Sequence, residues 1–168
     1  MSLFNRIKNI LAKPEPPKME KSILTVAPGD VVEVSLVTYT VTGQTRNSSR
    51  NSIFLTLQDG NTLRYLHIED RERTEYELYS AIDGRLDSVD EVPTTIELED
   101  TVYHLEEQYN GMVTTVGKTS FANAGDQYVW QYQSDNRKLL RIEWQDGRFM
   151  LYEGEFVIPA DVQVLRGA

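Results

Sequence analysis

The sequence has no cysteine. That removes disulfides, thiolate metal sites and cysteine nucleophiles in one step. It has no apolar run near the roughly 20 residues that a membrane-spanning helix needs. Motifs for covalent, phosphate or calcium chemistry are missing: no GxSxG, no SxxK, no glycine-rich phosphate cradle, no DxDxDG loop. Histidine is scarce. His67 and His104 stand alone, without a partner at metal-ligand spacing, so no metal and no cofactor is expected. Basic residues are in deficit, with 17 Lys and Arg against 26 Asp and Glu and a net charge of −9.

The deficit is uneven. Residues 1–21 carry five basic and two acidic side chains, net +3, which leaves net −12 on residues 22–168. A body so charged repels a phosphate backbone, which disfavours nucleic acid, and attracts cations or basic partners. Apolar residues make up 40% and are mostly Val, Ile, Leu and Tyr, enough for a core and suited to strands.

The basic opening reads MSLFNRIKNILAK. Leu3, Ile7, Ile10 and Leu11 recur at helical spacing with Phe4 beside them, and Arg6, Lys8 and Lys13 supply charge. This predicts an amphipathic helix within residues 1–13, capped by Ser2 and ended by Pro14. Polar interruptions at Asn5, Arg6, Lys8 and Asn9 argue against a signal peptide, so the chain reads as cytoplasmic. A helix of about ten residues is unstable alone. Its apolar face must dock on an anionic membrane surface, on a protein partner, or on the protein itself or its homo-oligomer. Residues 14–27, rich in proline and charge, read as a linker.

From Pro28 onward, short alternating segments are separated by turn signals at Asp59-Gly60-Asn61, Asp83-Gly84, Asn110-Gly111 and Asp146-Gly147. About ten to twelve strands at this spacing predict an all-β, antiparallel barrel-like or sandwich body. Two related packed units are expected, at 28–90 and 91–168. Val32-Glu33-Val34 with Tyr39 matches Ile96-Glu97-Leu98 with Tyr103 at an offset of 64. Gln58-Asp59-Gly60 with Tyr65 matches Gln145-Asp146-Gly147 with Tyr152 at an offset of 87. Hairpins with Asp-Gly turns also converge on such patterns by chance.

Two side-chain groups could carry binding. Tyr128, Trp130 and Tyr132 alternate along one strand face near Trp144, which makes either a ligand or partner platform or the core of a small barrel. Carboxylates pair at Glu97 and Glu99 and at Glu153 and Glu155, the pattern of a glycosidase pair but also of a solvated sheet face. The polar loop at residues 45–52 could line a rim, but reads rather as a long, mobile hairpin connection.

The run Gly29-Asp30-Val31-Val32-Glu33, leading to Tyr39-Thr40-Val41-Thr42-Gly43, resembles the opening of a bacterial family, domain of unknown function 4178. Leu139 to Trp144, Tyr152-Glu153-Gly154-Glu155 and Asp161-Val162-Gln163-Val164 are similar to its C-terminal half. The resemblance implies a small β-rich protein of no established activity, with genes near those of phage-shock-type membrane-stress proteins and polyamine-synthesis-like enzymes. Together these readings predict a non-catalytic binding or adaptor protein, acting peripherally at the cytoplasmic face of the membrane or within a membrane-stress complex. The alternative is an acidic β-domain that binds a small cationic ligand such as a polyamine.

Overall fold

The computed structural model describes residues 22–166. The helix expected within residues 1–13, and most of the linker, lie outside the described residues. The body is all-β and antiparallel, as the alternation predicts. Its strands are β1 (Val31–Val34), β2 (Val37–Asn47), β3 (Ser52–Asp59), β4 (Thr62–Asp70), β5 (Thr74–Ile82), β6 (Thr95–Leu98), β7 (Thr101–Gly117), β8 (Gly125–Ser134), β9 (Lys138–Gln145), β10 (Arg148–Val157) and β11 (Val162–Arg166). They form one sheet in the order β11-β1-β2-β3-β4-β5-β10-β9-β8-β7-β6, and β2 also pairs with β7. That last pairing closes β2, β3, β4, β5, β10, β9, β8 and β7 into an eight-stranded barrel, with β1, β11 and β6 outside the ring.

The chain builds this ring from two meanders, β1–β5 and β6–β10. Neither closes on itself. They join along two seams, β2–β7 and β5–β10. The two begin alike. A 3-10 turn at Ile23–Thr25, capped by Ser22, precedes β1; one at Val89–Glu91, capped by Ser88, precedes β6. Each first hairpin turns through two residues in left-handed conformation, Ser35 and Leu36 (φ 48° and 69°), then Glu99 and Asp100 (φ 47° and 66°). Each second strand has a bulge, between Val41 and Gly43 and between Leu105 and Glu107. The hairpin turns and bulges repeat the 64-residue offset visible in sequence, and the 3-10 turns stand 66 residues apart. The 87-residue match does not survive. Asp59-Gly60 turns β3 into β4, whereas Asp146-Gly147 turns β9 into β10, and these are different steps of the two meanders. Asp-Gly suits any tight hairpin turn, so its recurrence carries no register.

Asn110-Gly111 is not a turn. Both residues lie inside β7, which runs unbroken for 17 residues. A side chain at Gly111 would meet Asn47 at 3.1 Å and Ser49 at 3.4 Å, so the glycine here makes room for the loop after β2. The β2–β7 seam has a similar need. Gly43 faces Gly117, and a Cβ on Gly43 would lie 1.9 Å from the Lys118 carbonyl oxygen.

Apolar residues pack in separate places. Outside β2–β5, an aliphatic layer of Val41, Leu55, Leu66 and Ile68 is covered by Val32 and Val34 of β1, by β11 and by the segment at 22–27. That segment, read in sequence as part of the linker, buries Val26 fully; its backbone carbonyls at Leu24 and Val26 accept from Arg46 and Gln44. Outside β8–β10, an aromatic layer of Trp130, Tyr132, Leu140 and Ile142 is covered by Val89, Val92 and Leu86 from the connection before β6. The barrel lumen holds a third cluster, Phe54, Tyr65, Tyr79, Leu139 and Tyr152.

Candidate functional site

Alternation along each strand sends one side chain out and the next in. In this barrel the inward set is largely polar. Arg141 and Glu143, two residues apart on β9, face inward together, with Nε 2.9 Å from Oε2; they are 3% and 1% exposed. Burial opposes the charge of Arg141, but Tyr109, Glu143 and Tyr79 hold its guanidinium well above the usual range. Its Cζ stands 5.0 Å from the ring centre of Phe54, across the lumen on β3. His67 on β4 and Glu77 on β5 are cross-strand neighbours, and Nδ1 lies 2.7 Å from Oε1. Tyr79 donates to the same carboxylate oxygen at 3.2 Å. Burial opposes the charge on Glu77 as well. The His67 hydrogen bond and charge, then Arg141 and Tyr79, outweigh it and hold the carboxyl below its usual range.

One end of the lumen is stoppered by Arg50, from the 3-10 turn Ser48–Arg50. Its guanidinium bridges Glu69 (2.8 Å) and Glu107 (2.5 Å) and lies 3.7 Å over the Tyr109 ring. The polar stretch expected to be a long, mobile connection is shorter, since residues 45–47 belong to β2, and Arg50 ties it to the barrel end. Below it remains a space of about 10 Å³, the scale of one water molecule, lined by Ser52, His67, Tyr109 and Arg141 among others. The Nε2 of His67 is buried there without a hydrogen-bond partner among the described residues. No group of three or more His, Asp or Glu among the described residues could hold a metal.

A groove opens on the outside, where the two first hairpins approach each other over the β5–β10 seam. The groove measures about 460 Å³. Its walls are equivalent residues of the two meanders, each 64 positions apart: Val34 and Leu98, Ser35 and Glu99, Tyr39 and Tyr103. Glu153 and Glu155 of β10 share the outward face expected of them and form the floor with Leu78, flanked by Arg64 and Lys138. The Arg64 guanidinium donates to Ser80, the residue paired with Glu153 across the seam.

The two tyrosines are the unusual members. Tyr39 is 5% exposed and Tyr103 4%, so their rings belong to the two outer layers. Neither hydroxyl has a hydrogen-bond partner among the described residues, although both residues line the groove. Burial, then the charges of Glu153 and Glu99, push the Tyr103 hydroxyl above its ordinary pKa, so it keeps its proton. Each buried ring thus presents a solvent-reaching hydroxyl beside carboxylates, a polar group open to a ligand.

The aromatic set singled out in sequence lies elsewhere. Trp130 and Tyr132 are fully buried, and Tyr128 and Trp144 are half-buried beside them, Tyr128 stacked with Trp130 at 6.3 Å and edge-on to Trp144 at 5.6 Å. The Tyr132 hydroxyl donates to the Pro93 carbonyl at 2.7 Å. These rings form the second meander's outer layer. Leu3, Phe4, Arg6, Ile7, Lys8, Ile10, Leu11 and Lys13 lie outside the described residues. Sequence reasoning missed Tyr39 and Tyr103 as a pair of site residues, though both stood in the 64-residue match.

Fold and groove define the class: a closed, eight-stranded antiparallel barrel with a filled polar lumen and an external groove between twin hairpins. The chain belongs to the family described as domain of unknown function (DUF4178), whose model matches residues 27–159. A search of curated proteins and of solved structures finds no match.

Proposed function

We propose that the protein is a non-catalytic binding module, and that its groove takes a small cationic amine. The observation that carries this reading is the pair of tyrosines, Tyr39 and Tyr103, whose rings are buried and which line a groove bearing Glu99, Glu153 and Glu155 without a hydrogen bond from either hydroxyl to another described residue. A primary ammonium has three donors, which suits two hydroxyl acceptors and a carboxylate better than one carboxylate alone. Arg64 and Lys138 offset two of the three carboxylates, so the groove retains net negative charge without being a uniform acidic patch.

The lumen supports the non-catalytic part. Its inward carboxylates are engaged by His67 and Arg141, and the remaining space is too small for a reacting substrate. The hairpin tips add a second support. Leu36 and Glu99 hold left-handed backbone without being glycine or asparagine, a cost of roughly 1 kcal/mol or more each that tends to persist where a binding surface needs a fixed shape.

The test is calorimetric titration of the full chain with spermidine at low and high salt. Expected is a saturable heat that weakens with salt, and a several-fold loss of affinity in Tyr103→Phe and in Glu153→Gln. No heat at millimolar spermidine, or full binding by both variants, would sink the reading.

A further inference from the structure

The two meanders differ at one strand position. The outer edge of β1 is paired with β11, in register from Val34 with Val162 to Val32 with Val164, then shifted by a bulge so that Val31 faces Arg166. The equivalent edge, that of β6, has no strand beside it among the described residues. β6 pairs with β7 from Leu98 and Thr101 at the turn to Thr95 and His104. In a two-residue hairpin, Leu98 and Ile96 bond inward to β7, which directs the N–H and C=O of Glu97 and Thr95 to the open edge.

Burial shows the consequence. Val32 and Val34 are 0% and 1% exposed, under Val162 and Val164 of β11. Their counterparts Ile96 and Leu98 are only half-buried. The second meander therefore keeps both the unpaired backbone groups and the apolar surface that β11 covers in the first.

We propose that the β6 edge is the docking site for an extended segment of a partner protein, four to six residues long, added antiparallel as β11 is added to β1. The internal template gives its chemistry: apolar side chains at alternate positions to cover Ile96 and Leu98. Charge gives the rest. Glu97 points outward on this edge, and Glu99 and Asp100 follow it in the turn, so the alternate positions of the incoming strand are Lys or Arg. A second copy of the chain pairing edge to edge about a two-fold would set these acids against one another, which disfavours that occupant. The inference does not depend on the amine-binding reading of the groove.

The test uses ¹⁵N-labelled full chain and a synthetic peptide, Asp-Val-Lys-Val-Leu-Arg, which is Asp161 followed by β11 with Gln163 changed to lysine. Expected are saturable amide shifts confined to Thr95–Leu98 and slowed hydrogen exchange at Glu97. Glu97→Pro removes the outward N–H at an edge position that tolerates proline, and is expected to weaken binding at least tenfold with the amide spectrum of β7–β10 intact. Glu97→Lys is expected to weaken it several-fold with folding unaffected. Overturning results are no shift at millimolar peptide, shifts at β1 instead of β6, or a Glu97→Pro-sensitive dimer in sedimentation, which would assign the edge to a second copy.

Discussion

The two meanders follow one plan and fill it with different residues. The first covers its outer face with Val, Leu and Ile; the second uses Trp130, Tyr132, Tyr128, Trp144 and Phe149. In the lumen the first supplies His67 and Glu77, and the second supplies Arg141 and Glu143. What is held constant is the backbone: the capped 3-10 turn, the left-handed two-residue turn and the bulge. Such features determine strand direction and register, so they tolerate no slippage, whereas a core accepts any filling of the right volume. The difference teaches where function should be sought. The aromatic richness of the second half is packing, and the groove lies where the two halves are most alike.

That comparison can be broken. The largest effect is expected from Arg141→Met, which leaves Glu143 buried without its cation and should cost about 3–5 kcal/mol in urea unfolding. Pairing it with Glu143→Leu should recover most of the loss. If the single change costs under about 1 kcal/mol, the lumen pair of the second half is not a structural partner to the barrel.

Next is Leu66→Ala, in the aliphatic layer, with an expected cost of about 2–5 kcal/mol. Both tryptophans, Trp130 and Trp144, belong to the second half. Their fluorescence should nevertheless shift to lower urea together with far-UV circular dichroism, because the meanders share two seams. A tryptophan transition that stays put would show two independently stable units.

The smallest effect concerns acid. The Glu77 carboxyl sits below its ordinary 4.5 in the folded state. Its contribution is therefore complete above the unfolded value and is lost as pH falls through 4.5 toward the depressed folded value. The urea midpoint of the wild type should drop in that window more than that of Glu77→Gln. Parallel curves would remove Glu77 as the source.

Much of the fold was legible because alternation and turn residues are local signals. The 64-residue repeat located both first hairpins, and the strand number and antiparallel class follow from spacing. Closure was not legible. Nothing at Gly43 or Gly117 announces that they face each other, since a glycine reads the same in a turn, a bulge or a close approach. Asn110-Gly111 shows the cost of that ambiguity. The lumen network was equally hidden. His67 meets Glu77 only through the register of β4 and β5, and the two are ten residues apart without any motif. Tyr39 and Tyr103 were visible as a repeated pair, but an unmatched hydroxyl is a property of three-dimensional surroundings.

The seams also decide how the molecule comes together in time. Most of its strand pairings join neighbours in the chain and can form early from hairpins. Three cannot: β2 with β7, β5 with β10, and β1 with β11. Until these form, the product is two open ribbons with exposed edges, and the polar lumen does not exist. The buried ion pairs thus acquire their surroundings only at the last, long-range step, when the entropic cost of closing the largest loops has to be met. A barrel assembled this way behaves as a clasp with two halves: Gly43 and Gly117, two glycines face to face across the β2–β7 seam, form the point at which it snaps shut.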